Sequence, residues 1–206
     1  NGGLVLRWLR DQLGEEERRT ARDRGVDPYE VMCELAAAVP AGADGLVMLP
    51  FLTGERSPNW NASAKGVLYG LQLHHTKAHL IRAGLEAVIY RMLSVYQALK
   101  SLAGQEGEIW ANGGYTRSPL WVQIQADVFQ RKVAVPRVTE ASAFGAAMVA
   151  LKSAGLIGDY RDMEGAITVE RSYQPDPAAA PAYQKAFALF QSLYDDVKHE
   201  FGRGQT

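Results

Sequence analysis

From Glu108 to Phe129 the chain reads EIWANGGYTRSPLWVQIQADVF. A short apolar run ends in the pair Gly113 and Gly114, and Ser118 with Pro119 follows as a helix N-cap and first helical position. The spacing predicts a strand, a glycine turn and a helix in immediate succession. Without β-carbons the turn lets another molecule come close to the backbone, and a helix start favours negative charge. Such a turn either just joins a strand to a helix or cradles a phosphate. These residues alone leave both readings open.

The rest of the chain alternates in the same way. Leu4, Val5, Trp8, Leu9 and Leu13 predict a short helix just after Gly2 and Gly3. Glu15 to Arg24 is dense in both charges and reads as a solvated helix face or loop. Asp27 and Pro28 mark a helix start, with the helix running to Val39. GLVMLP at Gly45–Pro50 and GVLYGLQL at Gly66–Leu73 are strand-like, and the irregular stretch Phe51–Lys65 between them is a long loop. Thr76 to Leu102 carries Ile81, Leu85, Val88, Met92, Val95 and Leu99 as one apolar stripe, closed by Gly104 and Gly107. That helix would run roughly 40 Å. Lys132–Pro136 is a strand, and Thr139 or Glu140 opens a helix with a small-residue surface (Ala141, Ala143, Gly145, Ala146, Ala147, Ala150) that Gly155 ends. Gly158 to Ala180 reads as less regular, and Pro181 starts a last amphipathic helix. Strands alternating with helices predict an α/β domain.

Composition removes several classes. A net charge of -1 gives no field for nucleic acid or an anionic membrane surface. One cysteine, Cys33, rules out an internal disulfide and a multi-cysteine zinc site, and fits a buried thiol in a reducing, cytoplasmic setting. No apolar run is long enough to span a bilayer. His74, His75 and His79 lie close in sequence but lack a further ligand group, so no metal site is expected. The familiar nucleotide motifs, a glycine loop ending in Lys-Ser/Thr or a spaced third glycine, are also absent, so any phosphate here is held by a different architecture. The chain opens NGGLVLRWLRD without Met, already in a helical pattern, and reads as a piece of a longer protein.

Three stretches carry a family resemblance. NGGYTRSPLWVQIQADVFQRKVAVPRVTEASAFGAAMVAL, LPFLTGERSPNWNASAKGVLYGL and GGLVLRWLRD resemble, in order, the C-terminal signature, the loop-and-strand segment and the second-domain start of the FGGY carbohydrate kinases. The resemblance implies an actin-like ATPase (ribonuclease H-like) α/β fold with a mixed sheet flanked by helices. It implies that residues 1–158 are the nucleotide-binding domain, that 159–206 form an extension whose helix packs on that domain, and that the sugar-binding N-terminal domain lies outside this chain. ATP with Mg2+ is then the cofactor, and the partners are a small sugar or sugar acid, the chain's own N-terminal domain and, as is common in the family, a second copy in a homodimer. Gly114 matches the glycine that meets the nucleotide phosphates, with Gly113 before it in the turn. Ser118 matches a position that approaches the adenine, where other members often carry Asn. Gly3 and Arg7 match a second nucleotide-contacting pair, with Gln common at the position of Arg7. The family's general base, an aspartate, precedes this chain. RAGLEAVIYRMLSVYQAL, and above all Glu86–Tyr90, resembles members that phosphorylate gluconate, with xylulose the second choice.

Other residues take plainer readings. Glu55 and Arg56 either line the cleft on the substrate side or form an ion pair that stabilises their loop. Trp60 is read as core packing ahead of a sugar-facing role, and Asn61 stands where relatives often have Asp. Trp121 is core or rim beneath the turn, Thr116 and Arg117 are exposed loop residues, and Ser142 caps its helix.

Overall fold

A computed structural model describes residues 2–103, 107–138 and 140–203. Helix α1 (Gly2–Leu13) buries Val5, Leu6 and Leu9 on one face and takes the glycine pair into its own first turn. Helix α2 (Glu15–Arg24) has three glutamates in its first turn and arginines in its last, the order that suits the helix dipole, and Gly25 closes it in a left-handed conformation. Most of α2 is exposed, as expected of a solvated helix face, but one side is not. Glu17 is buried and takes an ion pair at 2.6 Å from Lys77 Nζ, because this side of α2 faces the start of the longest helix.

Helix α3 (Pro28–Ala37) begins where the sequence signals it, the Asp27 carboxylate accepting the Tyr29 N–H at 2.9 Å. Strands β1 (Val47–Leu49) and β2 (Val67–Tyr69) pair antiparallel, Met48 opposite Leu68. The second strand is shorter than its pattern predicts, since Leu71 and Leu73 lie exposed beyond it.

Helix α4 (Lys77–Ala103) forms the spine. Its stripe is buried at Ile81, Leu85 and Val88, half-buried at Met92 and Val95, and 57 % exposed at Leu99, so the apolar pattern outruns the core it packs on. Gly104 lies outside the described residues. A buried polar knot ties α4 to its neighbours. Arg82 Nε donates to Glu86 Oε1 at 2.6 Å, while Tyr90 Oη and the Gly42 N–H donate to the same carboxylate. Arg82 also reaches the Ala36 carbonyl and the Tyr183 hydroxyl.

Strand β3 (Ile109–Trp110) pairs parallel to β4 (Val133–Pro136), and β4 pairs antiparallel to β5 (Val169–Tyr173), giving the sheet order β3-β4-β5. Strand β5 thus falls within the stretch 158–180 expected to be less regular. Helix α5 (Pro119–Phe129) joins two cores: Trp121, Ile124 and Val128 face the large one, and Val122 and Ala126 face the small one under the sheet. Helix α6 (Ala141–Ser153) follows β4. Ser142 does not cap it; Glu140 holds the cap position without a side-chain hydrogen bond, and Thr139 lies outside the described residues. The last helix, α7 (Ala180–Val197), buries Tyr183, Phe187, Phe190 and Tyr194 against β1, α4 and α5.

Candidate functional site

Three helix starts converge on one cleft of about 1080 Å³. Gly2 and Gly3 of α1 form one lip. Gly114, Arg117 and the first turn of α5 at Ser118–Leu120 form the other, and α3 supplies a wall from Asp27 to Ala37. Of these helix starts, that of α3 is already capped by Asp27, and that of α5 by Ser118 Oγ, which accepts the Trp121 N–H at 3.3 Å. The first turn of α1 carries no acidic side chain and two glycines. Gly3 leaves the backbone of this lip open to close approach by a ligand.

A β-carbon at Gly2 would meet Val88 Cγ1 at 2.8 Å, so that glycine is required by packing on α4, but the other two lip glycines are open. A β-carbon built at Gly3 or at Gly114 meets nothing within 4 Å, so no neighbour in the fold requires glycine there on steric grounds. Gly113 differs, since its φ of 95° is one that side-chain-bearing residues avoid. Thr116 clamps the turn from behind. It is buried, against expectation, with its hydroxyl donating to the Gly113 carbonyl at 2.8 Å. Arg171 of β5 adds a bond to the Thr116 carbonyl, so the late strand braces the glycine turn.

The structure thus brings Gly3, Gly114 and Ser118 to one cleft, with Gly113 behind the second lip. Arg7 is not among the residues lining it. It is exposed on α1 one turn beyond Gly3, on the same helix face. Ser118 is engaged twice, capping α5 and donating to Cys33 Sγ at 3.3 Å. Cys33 is buried in the large core, as expected, and also faces the cleft; burial pushes its thiol pKa up, with the Ser118 contact acting the other way. The α3 wall of Tyr29, Glu30, Cys33, Glu34 and Ala37 escaped the sequence reading. Its only signal was the i, i+4 spacing of Tyr29, Cys33 and Ala37.

Glu55 and Arg56 line a second depression of about 600 Å³ that shares Gly2, Val88 and Met92 with the first. The Glu55 carboxylate is buried and committed to its own loop, accepting the N–H groups of Asn59 and Asn61 at 3.2 Å each and pairing with Arg91. Arg56 is exposed. Trp60 is 78 % exposed, which corrects the expectation of core packing; its φ of 53° turns the loop tip outward. Trp121 is core, its indole N–H donating to the Leu85 carbonyl. His79 Nε2 meets Asp44 Oδ2 at 3.2 Å, and its Nδ1 accepts the Thr76 N–H. Among the described residues no group of three or more His, Cys, Asp or Glu is arranged to hold a metal, and no helix is long and apolar enough to cross a membrane.

The chain aligns at 40 % identity over 202 residues with the gluconokinase of Bacillus licheniformis, covering 98 % of this chain and 39 % of that one. Among solved structures, the gluconate kinase from Lactobacillus acidophilus superposes with a TM-score of 0.84 at 27 % identity, over 98 % of this chain and 39 % of that one. The xylulose kinase from Rhodospirillum rubrum does so with a TM-score of 0.80 at 36 % identity and the same coverage. The chain therefore spans about two fifths of the length of the relatives it matches. The fold is that of the FGGY sugar kinases, the actin-like ATPase type. Residues 1–154 match the family described as the FGGY family of carbohydrate kinases, C-terminal domain, and the chain belongs to that family.

Proposed function

We propose that this chain is the ATP-holding half of a sugar-acid kinase that converts D-gluconate to 6-phosphogluconate. The observation that carries the reading is the cleft between two lips at which glycine leaves the backbone open, Gly3 on α1 and Gly114 before α5. The phosphates lie along Gly3 and the Gly113–Gly114 turn, and the base lies toward α3 and Ser118. The three carboxylates of the lining, Asp27, Glu30 and Glu34, all sit on the α3 side and would repel phosphates there.

Phosphoryl transfer asks a protein mainly for alignment and charge stabilisation. Gly3 and Gly114 let backbone approach the nucleotide, and the α1 dipole opposes its negative charge. The acceptor hydroxyl must lose a proton as it attacks the γ-phosphorus. The described lining holds no histidine and its carboxylates are on the α3 side, which supports a reading in which the sugar-binding domain supplies the proton acceptor. Magnesium belongs to the same reading, but no carboxylate lines the glycine end, so the residues present do not form a magnesium site of their own. Closure of the second domain over the nucleotide would exclude water. The polypeptide would work in the cytoplasm, where gluconate and ATP meet.

Gluconate is favoured over xylulose by the 40 % identity with a gluconokinase. A xylulose kinase is the second reading, favoured by the Rhodospirillum rubrum structure. A non-catalytic nucleotide-binding module of the same fold is the third. Calorimetry on the 206-residue chain should detect ADP binding, and Gly114→Val should abolish it while the melting temperature stays within a few degrees. An unchanged ADP affinity in that variant would remove Gly114 from the site. Extended by the domain that its relatives carry, the polypeptide should consume ATP with gluconate and much less with xylulose; the reverse preference would select the second reading, and no turnover the third.

A further inference from the structure

Strand β5 lies beyond residues 1–154, the part of the chain that matches the family's domain, yet it reaches the glycine turn. It pairs with β4 from Tyr173 to Arg171 and then skips Glu170, so that Val169 faces Pro136. A bulge of this kind turns the side chains beside it. Arg171 is half-buried there, while Glu170 and Ser172 on either side are exposed. Its Nη2 donates to the Thr116 carbonyl at 3.0 Å, and its Nη1 donates to the Tyr173 hydroxyl at 3.3 Å. Thr116 in turn donates to the Gly113 carbonyl twice, from its hydroxyl at 2.8 Å and from its N–H at 3.1 Å. A chain of hydrogen bonds therefore runs from β5 to the first glycine of the turn. Toward the cleft the turn has no such support, since a β-carbon built at Gly113 or Gly114 meets nothing within 4 Å. Both acceptors of Arg171 are neutral, so neither cancels its positive charge, which stays behind the turn.

We propose that Arg171 and Thr116 are positioning residues for the nucleotide phosphates, Arg171 acting through Thr116 to hold the Gly113–Gly114 turn in the shape that the ligand meets. Neither side chain lines the cleft. Two consecutive glycines have more backbone conformations to sample than any other pair, and Gly113 is needed in one of them, at a φ of 95°. Holding the turn there before the ligand arrives lowers the ordering that binding must supply. The uncancelled charge of Arg171 acts in the same direction, because it favours an anion on the far side of the turn. The segment after residue 154 is then a working part of the site. This inference rests on the proposed function, in that it takes the turn to hold phosphate. The base, placed toward α3 and Ser118, does not depend on it.

Calorimetry with two ligands separates the outcomes, ADP with its phosphates and adenosine without them. In the 206-residue chain Arg171→Met should weaken ADP binding by about tenfold or more, with adenosine binding within about twofold and the melting temperature within a few degrees. Arg171→Lys keeps the charge and can still donate, and it should recover most of the loss. Thr116→Val removes the hydroxyl but no charge, and it should weaken ADP binding in the same selective way. An equal loss for ADP and adenosine in Arg171→Met overturns the proposal, because it would make Arg171 a support of the whole cleft. Should Arg171→Met lack a cooperative transition, Thr116→Val decides, and unchanged ADP binding there overturns the proposal. A wild-type chain that binds ADP no better than adenosine overturns the phosphate reading of the turn, and this inference with it. A wild-type chain that prefers ADP, with Arg171→Met preferring it equally, overturns this inference alone.

Discussion

Glu86 sits at the meeting point of α4, α3, α7 and the turn before β1. Burial pushes its pKa up, and the Arg82 guanidinium beside it pulls the other way. Glu86→Ala would leave Arg82 buried without its counter-charge, a loss of about 3–5 kcal/mol by chemical denaturation. Replacing both with apolar residues of similar volume, Arg82→Met with Glu86→Leu, should recover most of that, since a buried pair contributes little over good packing. The same position bears on substrate choice. The Glu86–Tyr90 run is the stretch that most resembles gluconate-phosphorylating members, yet both end residues are locked in this knot. The resemblance there reports how the domain is packed. Cys33 offers a direct probe of the cleft. With its thiol pKa raised by burial, alkylation by iodoacetamide at pH 8 should be about tenfold or more slower than for a free cysteine. Saturating ADP should slow it further, as followed by mass spectrometry, and a rate indifferent to ADP would take the nucleotide off the α3 wall.

Among the elements, those with their own local chemistry were legible in the sequence. The start of α3 shows in Asp27-Pro28, and that of α5 in Ser118-Pro119, because a cap and a fixed φ act within a few residues. The glycine turn was legible for the same reason. Strand β5 was not, since VERSY alternates weakly and becomes a strand only by pairing with β4. The α3 wall was hidden likewise, because only tertiary packing sets Cys33 beside Ser118. Burial of Glu17 needed Lys77, far along the chain. The 51–65 loop is held from inside by Glu55, which no local pattern announces as buried. Glu55→Ala removes the acceptor for two backbone N–H groups and the partner of Arg91. Limited trypsin digestion should then cut faster at Arg56 and Lys65, with α1 to α4 still folded by circular dichroism. An unchanged digestion rate would mean that the loop is held by something else.

For the whole molecule, α7 closes the larger core although it comes last in the chain. Phe190 and Tyr194 meet Phe51, and Tyr183 completes the Arg82 knot. A chain truncated after Asp176 should therefore lose its cooperative thermal transition rather than merely melt lower, as read by scanning calorimetry. The two lips of the cleft have a further consequence. Gly2 and Gly3 open the chain, whereas Gly114 lies beyond α4, so the lips share a cleft only once the spine helix has docked against both of their segments. On the proposed reading, a nucleotide bound between these lips would be a removable cross-link between α1 and the segment after α4, one that the unfolded chain cannot form. At a hundred times its dissociation constant it would add about 2.7 kcal/mol to unfolding. On the proposed reading, occupancy by ADP or ATP would therefore lengthen the survival of this domain against proteolysis.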